Sequence, residues 1–224
     1  MGRASRVEVG DIVYHVLNRA NFRFKLFSKN AHYQKFLGIM EEAMELTPMR
    51  ILAYCLMPNH WHLVLHPRND GDLSAFMHWV TLTHTQRYHA TTNTVGYGHV
   101  YQGRYHSMPV ETDAYFTSLV RYVEANAKRA GLVRRAEDWK WSSLYARTQG
   151  SEARRRILSA WPVAEPENYR VWVNQCESEE ETERIRDAIK RSRPYGSKAW
   201  VERSVKKFNL QCAIRDPWRP KKGS

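Results

Sequence analysis

No stretch of this 224-residue chain approaches the ~18 consecutive apolar residues of a membrane-spanning helix. Met1 to Gly10 carries no apolar signal region, and no basic amphipathic segment stands out for a membrane surface. Cysteine is scarce. Cys55, Cys176 and Cys212 are odd in number, widely spaced and form no Cys-x-x-Cys pair, which argues against a disulfide framework or a zinc ribbon and for a reducing compartment. No internal repeat is visible. Acidic residues are few, 23 against 35 Lys and Arg. These absences lead us to expect a soluble, cytoplasmic protein with no membrane partner.

What is present points to polyanions. The net charge is +12 and the pI about 9.8, an excess that favours nucleic acid. Eight Trp and twelve Tyr add the stacking surfaces used by single-stranded nucleic acid. The plainer alternative is a basic, solvated surface. Apolar content is ordinary, so a core can form.

The stretch Leu56-Met57-Pro58-Asn59-His60-Trp61-His62-Leu63-Val64-Leu65 reads as two strands joined by a Pro-Asn turn. Alternation along a strand puts His60, His62, Val64 and His66 on one face, and Trp61, Leu63 and Leu65 on the other, towards a core. His60 and His62 are separated by roughly 6.6 Å of rise, close enough to lean onto one ion. A structural pair beside a turn is the competing reading. His66 lies roughly 13 Å from His62, too far to share an ion with bonds of about 2.0–2.1 Å. A third ligand has to come from elsewhere.

Ile12 to Leu17 is a strand candidate, followed by the basic turn Asn18-Arg19-Ala20-Asn21-Phe22-Arg23. Ser28 is placed to cap a helix carrying Tyr33, Phe36, Leu37, Met40 and Met44, which Pro48 ends. Strands follow at Arg50 to Leu56 and His60 to His66. Asp70-Gly71-Asp72 opens a helix with Leu73, Phe76, Met77, Val80 and Leu82 on its apolar side, and Thr91 to Gly98 is a loop. His99 to Glu111 has room for a strand. Thr112 or Asp113 caps a helix predicted to run to about Arg129, with Gly131 at its stop. The order predicts an α+β fold, a ferredoxin-like split β-α-β antiparallel sheet with helices on one face. The composition changes near Gly150, so residues 1–150 are expected to form one domain and 151–224 a mainly helical C-terminal extension. Within it, Glu177 to Arg193 reads as a solvated helix with acidic residues early and basic ones late, and Arg215 to Ser224 as a basic, flexible tail.

In the helix from Thr112, Tyr122 and Asn126 stand four apart on one face. Asn is awkward inside a helix but supplies an oxygen to a hard cation. Two imidazoles and one amide leave open positions that suit Mg²⁺ or Mn²⁺, and a nearby tyrosine hydroxyl could attack phosphorus. The competing reading is a tyrosine in the core. Tyr115 lies on the same stripe, but its neighbour one turn on is Leu119, which binds no metal.

Several blocks now agree with a known family. Pro58-Asn59-His60-Trp61-His62 resembles the histidine-hydrophobic-histidine motif of the HUH nucleases. Tyr14-His15-Val16 with Asn18-Arg19 and Phe27, Tyr101-Gln102-Gly103-Arg104-Tyr105, Arg121 to Asn126 with Arg129 to Val133, and Asp138 to Ser143 resemble, in order, blocks of the REP-associated tyrosine transposases. The resemblance covers about residues 9–148. Ala127 departs from it, since the family usually has proline there, and lets the helix continue.

The resemblance implies the HUH nuclease fold, with His60, His62 and Asn126 holding Mg²⁺ or Mn²⁺ and Tyr122 as nucleophile. It implies single-stranded DNA folded as hairpins as the substrate, cut through a 5′-phosphotyrosine and rejoined without a nucleotide cofactor. A free tyrosine hydroxyl titrates near 10, so a cation should favour the phenolate; Arg121 and Arg104 are candidates. Asn18, Arg19, Arg23, Gln102, Arg104 and Arg121 are the expected DNA contacts, and a monomer the expected state. Replication-initiator or relaxase-type nucleases share the histidine pair but order their motifs differently. The alternative of another class is a domesticated hairpin-binding protein that no longer cuts.

Overall fold

The computed structural model describes residues 7–176 and 178–211; the expectations for Glu177, Cys212 and the Arg215–Ser224 tail lie outside them. Its frame is a four-stranded antiparallel sheet in the order β2-β3-β1-β4, built from β1 (Val13–Arg19), β2 (Met49–Met57), β3 (His60–Pro67) and β4 (His106–Val110). α1 (Asn30–Leu46) joins β1 to β2, and α2 (Asp72–Thr92) joins β3 to β4. This is the expected split β-α-β order. Met57 pairs with His60, so Pro58-Asn59 forms a two-residue hairpin turn, and β1 then sits beside β3 with Arg19 opposite His60 and Leu17 opposite His62.

Helices cover both faces of the sheet rather than one. Tyr14, Val16, Trp61, Leu63 and Leu65 face α1 and α2 with Phe36, Met40, Phe76 and Val80. The other face, carrying Val13, Cys55, Val64 and Met108, is covered by α3 (Ala114–Glu124), whose Phe116, Leu119, Val120 and Val123 are buried against it. β3 is therefore buried along almost its whole length. Apolar side chains alternate on both of its faces, and each face needs a cover.

After α3 come α4 (Asn126–Arg129), α5 (Ser143–Thr148), α6 (Glu152–Arg156), α7 (Tyr169–Asn174), α8 (Glu179–Arg191) and α9 (Lys198–Lys207). The extension folds back on the sheet. Tyr195 bridges Val110, and a bulge at Ile51/Ala53 frees the Leu52 carbonyl for Trp161 Nε1 (3.0 Å).

Several local expectations are corrected. Ser28 does not cap α1; Lys29 holds the cap position without a side-chain bond, because the Ser28 hydroxyl turns to His32. Leu82 is 46% exposed, since the face defined by Leu73, Phe76, Met77 and Val80 continues at His84. α2 runs on to Thr92 and ends on left-handed Asn93. The strand expected over His99–Glu111 is shorter, with Tyr101 making only a bridge to Ala20. Asp113 caps α3, and the expected single helix is interrupted at Ala125. Gly131, at φ 71, stops the chain as anticipated. α8 is not solvated all round: Thr182, Ile185 and Ala188 are buried.

Candidate active site

Strand alternation brings His60 and His62 onto the face that α3 covers. Their ring centroids are 5.1 Å apart. His60 donates from Nδ1 to Asn59 Oδ1 (2.7 Å). His62 Nδ1 shares a 2.8 Å hydrogen bond with His15 Nε2 on the central strand, both rings buried. Each ligand candidate thus has Nδ1 engaged, and with the proton on Nδ1 the Nε2 lone pair is the one left for a cation. Burial, with Arg19 nearby, lowers His60 to about 4. Burial, then His15 and His60, holds His62 well below its ordinary value. Neutral imidazoles keep the lone pair that a cation needs.

On the opposite face of β3, Trp61 Nε1 donates to the Tyr101 hydroxyl (3.1 Å), which bonds buried His84 Nδ1 (2.6 Å). This network pins the residue between the two histidines. His66 is bonded to Asp11 (3.1 Å) and takes no part in the pair.

The α3 register carries Tyr122 over the histidines, its ring centroid 6.3 Å from that of His62. Arg129 lies one turn beyond Asn126. Its guanidinium stacks 4.0 Å over the Tyr122 ring and donates to the Tyr122 carbonyl (2.8 Å) and Asn126 Oδ1 (3.3 Å). Asn126 Nδ2 is buried without a partner, so this amide is only half satisfied. Among the described residues no three His, Cys, Asp or Glu converge on a metal position. Two Nε2 atoms and Asn126 Oδ1, which keeps a second lone pair beside the one Arg129 uses, are a donor set that fits a divalent cation retaining waters. Tyr115 is turned away, edge-on to Tyr195 (5.2 Å) and bonded to Arg184 (3.4 Å).

The basic candidates divide. Gln102 and Arg104 are exposed and, with Asn18, line an open groove of about 580 Å³ beside α2. Arg19 stands opposite His60 and Arg23 is exposed. Asn18 is buried, its amide committed to the Gly103 carbonyl and the Arg19 amide. Arg121 is buried too. It lies 4.6 Å over Trp172 and donates to the Gln175 and Cys176 carbonyls, so it anchors the C-terminal segment and has no surface to offer DNA.

Sequence reasoning missed three residues. Arg129 follows Tyr122 and Asn126 at helical spacing, and that spacing was the available signal. His15 shares a strand face with Leu17 and Arg19, but its meeting with His62 depends on strand pairing. Arg186 of α8 pairs with Glu183 (2.8 Å) and lies near the Tyr122 side chain; nothing in the sequence signals that proximity.

In fold the chain is similar to a REP-associated tyrosine transposase solved bound to a REP hairpin: TM-score 0.57, 16% identity, 80% of this chain and 93% of that one. A protein described as a candidate transposase from Deinococcus radiodurans R1 overlaps less, with TM-score 0.38, 14% identity, 58% of this chain and 92% of that one. No curated protein matches. A family model described as "Transposase IS200 like" matches residues 8–126, over half of the chain and all four strands, and the protein belongs to that transposase family.

Proposed function

We propose that the protein cuts and rejoins single-stranded DNA beside hairpins, as a REP-associated type of the family, with Tyr122 as nucleophile. The observation that carries this reading is the convergence of Tyr122, His60, His62 and Arg129, with Asn126 one helical turn from the phenol, within one chain. The similar fold solved with a REP hairpin supports hairpin DNA as the substrate. A complete set in one chain supports a monomer as the working unit.

His60, His62 and Asn126 would hold Mg²⁺ or Mn²⁺, which when bound draws charge from the scissile phosphate. Tyr122 Oη attacks phosphorus and loses its proton; the P–O3′ bond breaks and the departing oxygen takes up a proton as the free 3′-hydroxyl. The product is a 5′-phosphotyrosine. Attack by a 3′-hydroxyl reverses the exchange, and one phosphoester replaces another, so no nucleotide cofactor is needed. Arg129 stacked over the ring holds the phenol beside the histidines. Arg19, Arg23, Gln102 and Arg104 are offered to the DNA strand.

The test uses a labelled hairpin oligonucleotide with Mg²⁺ or Mn²⁺. Wild type and Tyr115→Phe should form a covalent protein–DNA adduct and Tyr122→Phe should not. An adduct that survives in Tyr122→Phe removes the nucleophile assignment. A domesticated binder would shift the hairpin and never form the adduct.

A further inference from the structure

We infer that Phe22 is a stacking platform for an unpaired DNA base, held beside the histidine pair by a turn that gains nothing structurally from an aromatic ring. The inference rests on the DNA substrate proposed above and adds a contact to it. Phe22 and the next residue, Arg23, both have left-handed backbones, at φ 48 and φ 56. That region favours glycine and tolerates asparagine; a bulky aromatic is among the residues least suited to it.

The turn is nevertheless firmly held. Ala20 donates to the Asn59 carbonyl (2.9 Å), Asn21 to that of Val100 (2.8 Å), Arg23 to that of Ala20 (3.2 Å) and Phe24 to that of Asn21 (3.2 Å). Asn21 Oδ1 accepts from the Phe22 amide (3.1 Å). Yet the Phe22 side chain is 91% exposed. It contributes no core packing, and the smaller asparagine would fit the same backbone better. A structural role therefore does not explain the residue, whereas a role towards a ligand does.

The position identifies the ligand. The turn hangs on Asn59, the residue before His60, and its preceding strand residue Arg19 lies opposite His60. Exposed Arg23 and Lys25 follow Phe22 in the chain. Cations for phosphates interleaved with one projecting aromatic suit a single-stranded nucleic acid, because every base has a face to stack and the backbone supplies the charge. A lone ring among cations is too small an apolar surface for a protein partner.

Two hairpin probes test this, one with single-stranded flanks at the base of the stem and one fully paired and blunt. Phe22→Asn should raise the thermal midpoint by relieving the turn, and weaken binding of the flanked hairpin roughly tenfold, the effect of losing one stacked base. Phe22→Trp should keep wild-type affinity, and the blunt hairpin should bind all three proteins equally. A 2-aminopurine placed in the flank should be quenched by wild type and not by Phe22→Asn. Equal binding of the flanked probe by Phe22→Asn and wild type, or an equal loss on both probes, overturns the stacking role alone. Failure of wild type to bind either probe overturns the DNA reading as well.

Discussion

The Arg129 guanidinium lies over the Tyr122 ring at 4.0 Å while also holding the Asn126 amide oxygen. One side chain thereby ties the proposed nucleophile to the proposed third ligand. If this cation holds the phenol in position for attack, Arg129→Gln should slow adduct formation in single turnover by roughly 10²-fold, with unchanged hairpin affinity, and Arg129→Lys should recover part of the rate. A Gln variant as fast as wild type would assign Arg129 to structure only.

His15 is hydrogen-bonded to His62 at 2.8 Å, and a partner on the far nitrogen orients a ligating imidazole. Calorimetry with Mn²⁺ alone should find affinity reduced roughly 10–100-fold in His15→Leu and largely retained in His15→Gln, whose amide can replace the bond. Binding that is unchanged in His15→Leu but lost in His60→Ala would remove the supporting role.

Glu124 is fully buried and accepts from Tyr169 (2.8 Å), Arg147 (2.7 Å) and the Ser143 hydroxyl, joining the tyrosine helix to the C-terminal extension. Tyr169→Phe leaves a buried carboxylate one donor short and should cost about 1–3 kcal/mol in urea denaturation. No change in midpoint would mean that another donor takes over.

His84 is buried beside Tyr101, and burial lowers it from 6.5 to about 3. A depressed folded value means that the unfolded chain binds a proton the folded chain refuses. The associated stability is complete above pH 6.5 and falls as pH drops towards 3, by about 1.4 kcal/mol per unit. In metal-free protein, His84→Gln should flatten the slope of stability against pH between these values; an identical slope contradicts the assignment.

Arg104 is exposed on the groove and Arg121 is buried under the extension. Arg104→Ala should weaken hairpin binding and reduce the salt dependence by about one phosphate contact without changing stability. Arg121→Ala should do the reverse, lowering the denaturation midpoint while leaving the salt slope intact.

Much of the site was legible because its signals are local. The two-residue period put His60 and His62 on one strand face, the Pro58-Asn59 turn joined the right strands, and the helical period set Tyr122 and Asn126 on one stripe. Backbone stereochemistry enforces these periods wherever the chain forms a strand or a helix. Long-range packing decided the rest. The pairing of β1 with β3 brought His15 to His62; the second apolar face of the sheet drew α3 and the extension across it; and that cover turned Arg121 inward while carrying Arg186 to Tyr122. Such contacts depend on strand order and on which faces have apolar surface to bury, and a side chain's own neighbours in the chain encode neither.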